Sequence, residues 1–148
     1  MSRLFLSALL ASIFAGMPDV FVAAALSRAS PGKILQTIAS GVLGEASYLK
    51  GSASVALGLG LQIAMSFVIA LIYSVAFSQM EGVRRSPLLF GALYGVAIFV
   101  VMNFVVVPLS HAYPKPRWDL KSVVAMLIVM VLFGEIISLI TAAFVGAA

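Results

Sequence analysis

Residues 51–80 read GSASVALGLGLQIAMSFVIALIYSVAFSQM and contain no charged side chain. A helix needs about 18 to 20 consecutive apolar residues to cross the hydrocarbon core of a bilayer, and this run is longer. Inside lipid the backbone must satisfy its own hydrogen bonds, which a single segment can do only as a helix. The stretch therefore predicts a transmembrane helix, placed at 54–77.

Three other long apolar runs accompany this one, each with at most one charged residue. They predict spans at 4–26, 88–109 and 122–144. The first run has a cleavable signal peptide as its alternative, but it continues past Pro18 and Asp19, which is too long for one. We expect an all-α membrane protein, a four-helix transmembrane bundle that forms one domain over residues 1–148.

The composition supports a membrane protein. The chain is 63% hydrophobic and 9% charged, with a mean hydropathy of +1.18, whereas a soluble domain is about half apolar and a quarter charged. An ordinary soluble fold, a disordered chain and a nucleic-acid-binding domain are therefore excluded. The net charge of +4 comes from Lys and Arg in short loops, where such residues set topology and contact anionic headgroups. The expected partner is the lipid bilayer, not nucleic acid.

The loop between the first two spans contains a helix too short to cross a membrane. Ser30 and Pro31 have the pattern of an N-cap and first-turn residue, and Gly44 is a stop signal. Its apolar side chains recur on one side: Ile34, Leu35, Ile38 and Val42. We expect a short amphipathic interfacial helix at 31–43, on the membrane surface or tucked in as a re-entrant segment. Docking onto the bundle is the alternative.

The last loop combines cations and an aromatic ring. Lys115, Arg117 and Trp118 are predicted interface anchors, and Asp119 is the expected N-cap of the fourth span. Three Lys or Arg lie on the side of the termini and the middle loop, against six in the two longer loops. The excess predicts termini outside and the longer loops in the cytoplasm.

Each predicted span carries one strongly polar residue. These are Asp19, Gln62, Asn103 and Glu135. Counted from the span midpoints, the first three fall at one depth, about 6 Å from the midplane, and Glu135 falls near the centre. A charged Asp at a span centre costs about 2.5–3.5 kcal/mol on insertion scales. We therefore expect the four to converge inside the bundle, with Glu135 within one helical turn of the others.

Two roles fit such a cluster. It can be a polar clasp that fixes helix register through hydrogen bonds, or part of a relay for protons or cations. Small residues on the same helix faces predict close packing, and the candidates are Gly58, Gly91 and Gly95. Gly91 and Gly95 form a GxxxG motif, which serves either packing within the chain or dimerisation.

The sequence offers no support for an enzyme. Its one histidine, His111, has no placed acid, and neither GxSxG nor HExxH occurs. There is no cysteine to provide a thiolate nucleophile or metal ligand. We expect no catalytic residue, no metal ion and no cofactor.

Two segments carry a resemblance. Residues 91–112 read GALYGVAIFVVMNFVVVPLSHA, and residues 34–77 begin with ILQTIASGVLG and continue into a glycine-rich span. Together they resemble an uncharacterised family of small bacterial inner-membrane proteins, a domain of unknown function, most strongly around Asn103. The resemblance implies a bacterial, four-helix inner-membrane protein and brings no established activity. The family often has His where this chain has Gln62 and does not require Glu135, so it implies no metal or proton role at Gln62.

The leading hypothesis is a non-catalytic accessory or subunit role, in which packed helix faces bind another copy or a partner in a membrane complex. The alternative is a proton or cation transporter or channel that uses the polar cluster. A dry bundle interior is expected for the first function, and a continuous polar path to both surfaces for the second. A membrane enzyme is the third and weakest candidate.

Overall fold

Our computed structural model describes residues 2–116 and 118–146. In those residues the chain is helical without strands, and four helices are long and apolar enough to cross a membrane. The first to fourth spans are Arg3–Ser27, Ser52–Gln79, Pro87–Leu109 and Leu120–Val145. The all-α four-helix bundle is thus confirmed, and the chain is a multi-pass membrane protein.

The helices run slightly past most of the predicted ends, and at the start of the first and fourth spans the capping side chain lies outside the apolar run. Ser2 accepts a hydrogen bond from the backbone N–H of Phe5. Asp119 accepts one from Ser122 at the start of the fourth span, as its N-cap pattern predicts. Such caps satisfy N–H groups that have no partner within the helix.

The spans form a bundle that is open on one side. The first span packs along the second and the fourth, and the fourth packs along the third. Within the described residues, the second and third spans flank the remaining side without packing closely against each other. Small side chains on the first span, Ala8, Ala11 and Ala15, are almost completely buried and allow its two neighbours to approach.

Glycines set the register between the third and fourth spans. A Cβ atom on Gly134 would lie against the backbone of Gly91 and Gly95, and one on Gly95 would overlap the carbonyl of Met130. The two helices therefore meet backbone to backbone. The GxxxG motif is used for packing within the chain, so this face is not free for dimerisation.

The short helix forms at Pro31–Leu43, with Ser30 as its N-cap, and continues as a 3₁₀ turn at Gly44–Leu49. It lies against the start of the second span, where a Cβ on Gly58 would overlap the carbonyl of Leu35. The predicted helix is thus present, and it is docked on the bundle rather than free on a surface.

The loop after the third span holds the other end of this short helix. Ser40 Oγ donates to the carbonyl of Tyr113 at 3.0 Å, and the N–H of His111 donates to the carbonyl of Gly41 at 3.0 Å. Of the three predicted interface anchors, Lys115 and Trp118 are exposed. Arg117 lies outside the described residues.

Candidate functional site

Three of the four predicted polar residues meet at one end of the bundle. Asp19, Gln62 and Asn103, from the first, second and third spans, line one cavity of about 220 Å³, called here the polar chamber. It lies towards the end of the bundle that carries the short helix. The structure therefore brings these three residues together at one level, as the span midpoints predict.

A side-chain amide joins the first two spans at the polar chamber. Gln62 Nε2 donates to the backbone carbonyl of Gly16 at 2.9 Å and to Asp19 Oδ2 at 3.3 Å. Gly16 makes this crossing possible, because a Cβ there would lie within 2.6 Å of Ser66 Oγ. Gln62 therefore holds Asp19 in place and fixes the register of the two helices.

Asn103 lies in a widened turn of the third span. Residues Met102–Val106 form a π-helical turn, a feature frequent at functional sites. Pro108, two residues after that turn, cannot donate a backbone hydrogen bond. Asn103 Nδ2 donates to the carbonyl of Phe99 at 2.9 Å. Because the amide nitrogen is held by its own helix, the side-chain oxygen remains as an acceptor at the chamber.

The rest of the chamber wall is uncharged and includes flexible side chains. Among the described residues that line it, Asp19 is the one ionisable side chain and there is no Lys, Arg or His. Four thioethers contribute to the wall: Met65, Met102, Met126 and Met130. Methionine side chains adapt to differently shaped contents. The chamber thus combines a carboxylate and amide oxygens with a flexible apolar wall.

Glu135 does not join this cluster, which corrects the prediction. It lies against Gly91, twelve residues before Asn103 on the same span, or about 18 Å of helix rise. The third and fourth spans run in opposite directions, so positions past their midpoints lie on opposite sides of the midplane. The buried Oε2 atom of Glu135 has no hydrogen-bond partner among the described residues.

A second polar layer, not predicted from the sequence, lies at the other end of the bundle. Ser74 Oγ is 3.0 Å from Ser7 Oγ and 3.2 Å from Thr141 Oγ1, and all three residues are completely buried. Tyr73 and Ser138 add a further contact of 2.7 Å between their hydroxyls. The available signal was the recurrence of Ser on the small-residue faces, but hydroxyls in spans commonly bond to their own helix.

Apolar side chains separate the two polar layers. Ala11, Ala70 and Ile137, from the first, second and fourth spans, each have 0% exposure. Ala70 lies one turn from Ser66 at the chamber and one turn from Ser74 in the hydroxyl layer. In the described part of the chain, these three side chains therefore lie between the polar chamber and the hydroxyl layer.

The open side of the bundle forms an apolar groove of about 500 Å³ between the second and third spans. This lipid-facing groove is lined by exposed side chains such as Val68, Ile72 and Val101. Tyr94 crosses it, donating from its hydroxyl to the carbonyl of Ile69 at 2.7 Å. The groove and the polar chamber have four wall residues in common: Met65, Ile69, Ile98 and Met102.

Comparison with known proteins gives no match to a family model, to a curated protein or to a solved structure. The function is therefore inferred from the fold and the contacts described above.

Proposed function

We propose that the protein is a non-catalytic accessory or subunit protein of the bacterial inner membrane, whose bundle does not conduct ions. The observation that carries the proposal is the layer of Ala11, Ala70 and Ile137. These three completely buried apolar side chains, from the first, second and fourth spans, interrupt the polar groups between the two layers. An interior without a continuous polar path favours an accessory role over conduction.

The partner in this role is another copy of the chain or a component of a membrane complex. The glycine faces predicted for packing are occupied within the chain, since Gly91 and Gly95 contact the fourth span and Gly58 contacts the short helix. Partner contacts must therefore use other helix faces, among them the exposed apolar surface of the third span.

Proton or cation transport is the second candidate, and the observation in its favour is Asp19 beside a cavity. Acidic residues inside a membrane often line transport paths. In this function the apolar layer would have to open during each cycle, because the chamber and the hydroxyl layer are otherwise separated.

A flux measurement distinguishes the two candidates. Purified protein in liposomes that enclose a pH-sensitive dye should give no proton or potassium flux above that of empty liposomes, with gramicidin as the positive control. The matched variant is Asp19→Asn, which keeps a polar side chain of the same size. Flux that requires the protein and disappears in folded Asp19→Asn would overturn the accessory function and establish transport.

The proposed orientation is tested with single cysteines, for which the chain provides a cysteine-free background. Ala46 and Ser86 are suitable positions, since both are exposed and lie in loops on opposite sides of the bundle. Neighbouring Ser47 is unsuitable because it is completely buried. We expect an impermeant thiol reagent to label Ser86→Cys in intact cells and Ala46→Cys only after permeabilisation. The reverse pattern would place the termini in the cytoplasm.

A further inference from the structure

The lipid-facing groove has the size and surface of a site for a hydrocarbon chain. Its volume of about 500 Å³ falls within the range of about 300–1,000 Å³ typical of small-molecule sites. The polar atom that crosses it, the Tyr94 hydroxyl, already donates to the Ile69 carbonyl. A ligand in the groove would therefore meet apolar side chains from the second and third spans.

The inner wall of the groove leads to groups of the opposite character. Met65, Ile69, Ile98 and Met102 line both the groove and the polar chamber, so these four side chains form the wall between the two cavities. Two of the four are flexible thioethers that can change rotamer to admit a ligand. The combined site is apolar on the membrane side and polar at its inner end.

The hydrogen-bonding groups at the inner end are mostly acceptors, and one of them is a carboxylate. Both N–H groups of Gln62 are used, on Gly16 and Asp19, and one of the two N–H groups of Asn103 is used on Phe99. The groups left for a ligand are the Asp19 carboxylate, the amide oxygens, the Ser66 hydroxyl and the second N–H of Asn103, and the carboxylate is the one among them that ionises. Among the described chamber residues there is no cationic side chain to neutralise Asp19. The matching ligand group is thus a hydrogen-bond donor that carries a positive charge.

We propose that the groove and the polar chamber together bind a single-chain amphiphile with an ammonium head group. The hydrocarbon chain lies between the second and third spans, and the ammonium group lies against Asp19 with its N–H bonds directed at the Asp19 and Asn103 oxygens. A fatty acid would bring a second carboxylate to Asp19, and charge repulsion in a medium of low dielectric constant disfavours it. This inference goes beyond the accessory function and does not depend on it.

The test uses head-group variants of one photoreactive chain. Protein in phosphatidylcholine nanodiscs is irradiated with hexadecylamine, hexadecanoic acid or hexadecanol that carries a diazirine at mid-chain, and the crosslinked residues are mapped by mass spectrometry. We expect saturable labelling of Val68 and Val101 by the amine, displaced by unlabelled hexadecylamine and not by hexadecanoate. Labelling of these positions by the acid should be about tenfold weaker.

Two variants examine the two halves of the site. Asp19→Asn removes the charge and should weaken displacement by hexadecylamine about tenfold. Ala97→Trp fills the groove from an exposed position and should block labelling. Glu135→Gln is the matched control, because it neutralises the intramembrane carboxylate that lies outside the chamber, and labelling should be unchanged.

Equal labelling of the unaltered protein by the three probes would overturn the proposal. The groove would then bind hydrocarbon chains without selecting the head group. That comparison needs no variant, so it decides even if Asp19→Asn fails to fold. Labelling of Asp19→Asn equal to that of the parent would also overturn it. Protein-dependent ion flux, in contrast, would contradict the accessory function and leave the head-group result unaffected.

Discussion

Gly134→Ala is expected to lower the free energy of unfolding by about 2 kcal/mol, within the usual cost of overpacking of about 1–3 kcal/mol. The added methyl group would lie within 2.8 Å of atoms in Gly91 and Gly95, and all of these are backbone atoms. No side-chain rotation can relieve the overlap, so the third and fourth spans must move apart. Unfolding in mixed detergent micelles, followed by circular dichroism, gives the midpoint shift.

Gly60→Ala is the matched control for this prediction. Gly60 is also in a span, but a Cβ there would have no neighbour within 4 Å. Alanine is about 1 kcal/mol better than glycine in a helix interior, so this variant should be as stable as the parent or more stable. If both variants unfolded at the same detergent fraction, the backbone contact between the third and fourth spans would be refuted.

Gln62→Leu is the second substitution with a large expected effect, a loss of about 1–2 kcal/mol of stability. It removes the amide that donates to the Gly16 carbonyl and to Asp19 Oδ2. The Asp19 carboxylate then remains inside the bundle without this donor, and an unsatisfied buried acceptor costs more than a hydrogen bond contributes. Asp19→Asn, in contrast, should keep the fold because an amide oxygen still accepts from Gln62.

The double variant Asp19→Leu with Gln62→Leu separates a polar clasp from simple packing. Since replacing both partners by apolar groups leaves nothing unsatisfied, the double variant should lose less stability than the sum of the two single variants. The same unfolding titration measures all four proteins. Strict additivity would show that Asp19 and Gln62 do not interact, and would remove the clasp as the structural role of the polar chamber.

Much of this architecture follows from the sequence because the bilayer imposes strong rules. A long uncharged run such as residues 51–80 leaves no option but a helix, and the polar residues of the first three spans converge because lipid excludes them. The short helix is equally well marked by Ser30 and Pro31. These features depend on patterns of neighbouring residues along the chain and on the hydrocarbon of the bilayer, so they can be predicted from a single sequence.

The features that the sequence does not reveal depend on register between helices. The depth of Glu135 depends on the opposite directions of the third and fourth spans and on how far these spans slide along each other, and Gly91, Gly95 and Gly134 determine that distance through backbone contacts. The hydroxyl layer of Ser7, Ser74 and Thr141 has the same origin. If one span slid along its neighbour by one helical turn, each residue would stay on the same helix face but would contact different residues. Hydropathy does not encode such shifts.

The gap between the second and third spans also determines which ligand concentration controls binding. An opening to the side exchanges molecules with the fluid hydrocarbon around it, so occupancy follows mole fraction within the leaflet and not molarity in the buffer. Two samples at equal aqueous concentration can therefore differ widely in saturation when their lipid-to-protein ratios differ. Diluting such a sample with buffer changes the occupancy of the groove little, whereas adding empty vesicles lowers the mole fraction of ligand in the membrane and therefore the occupancy.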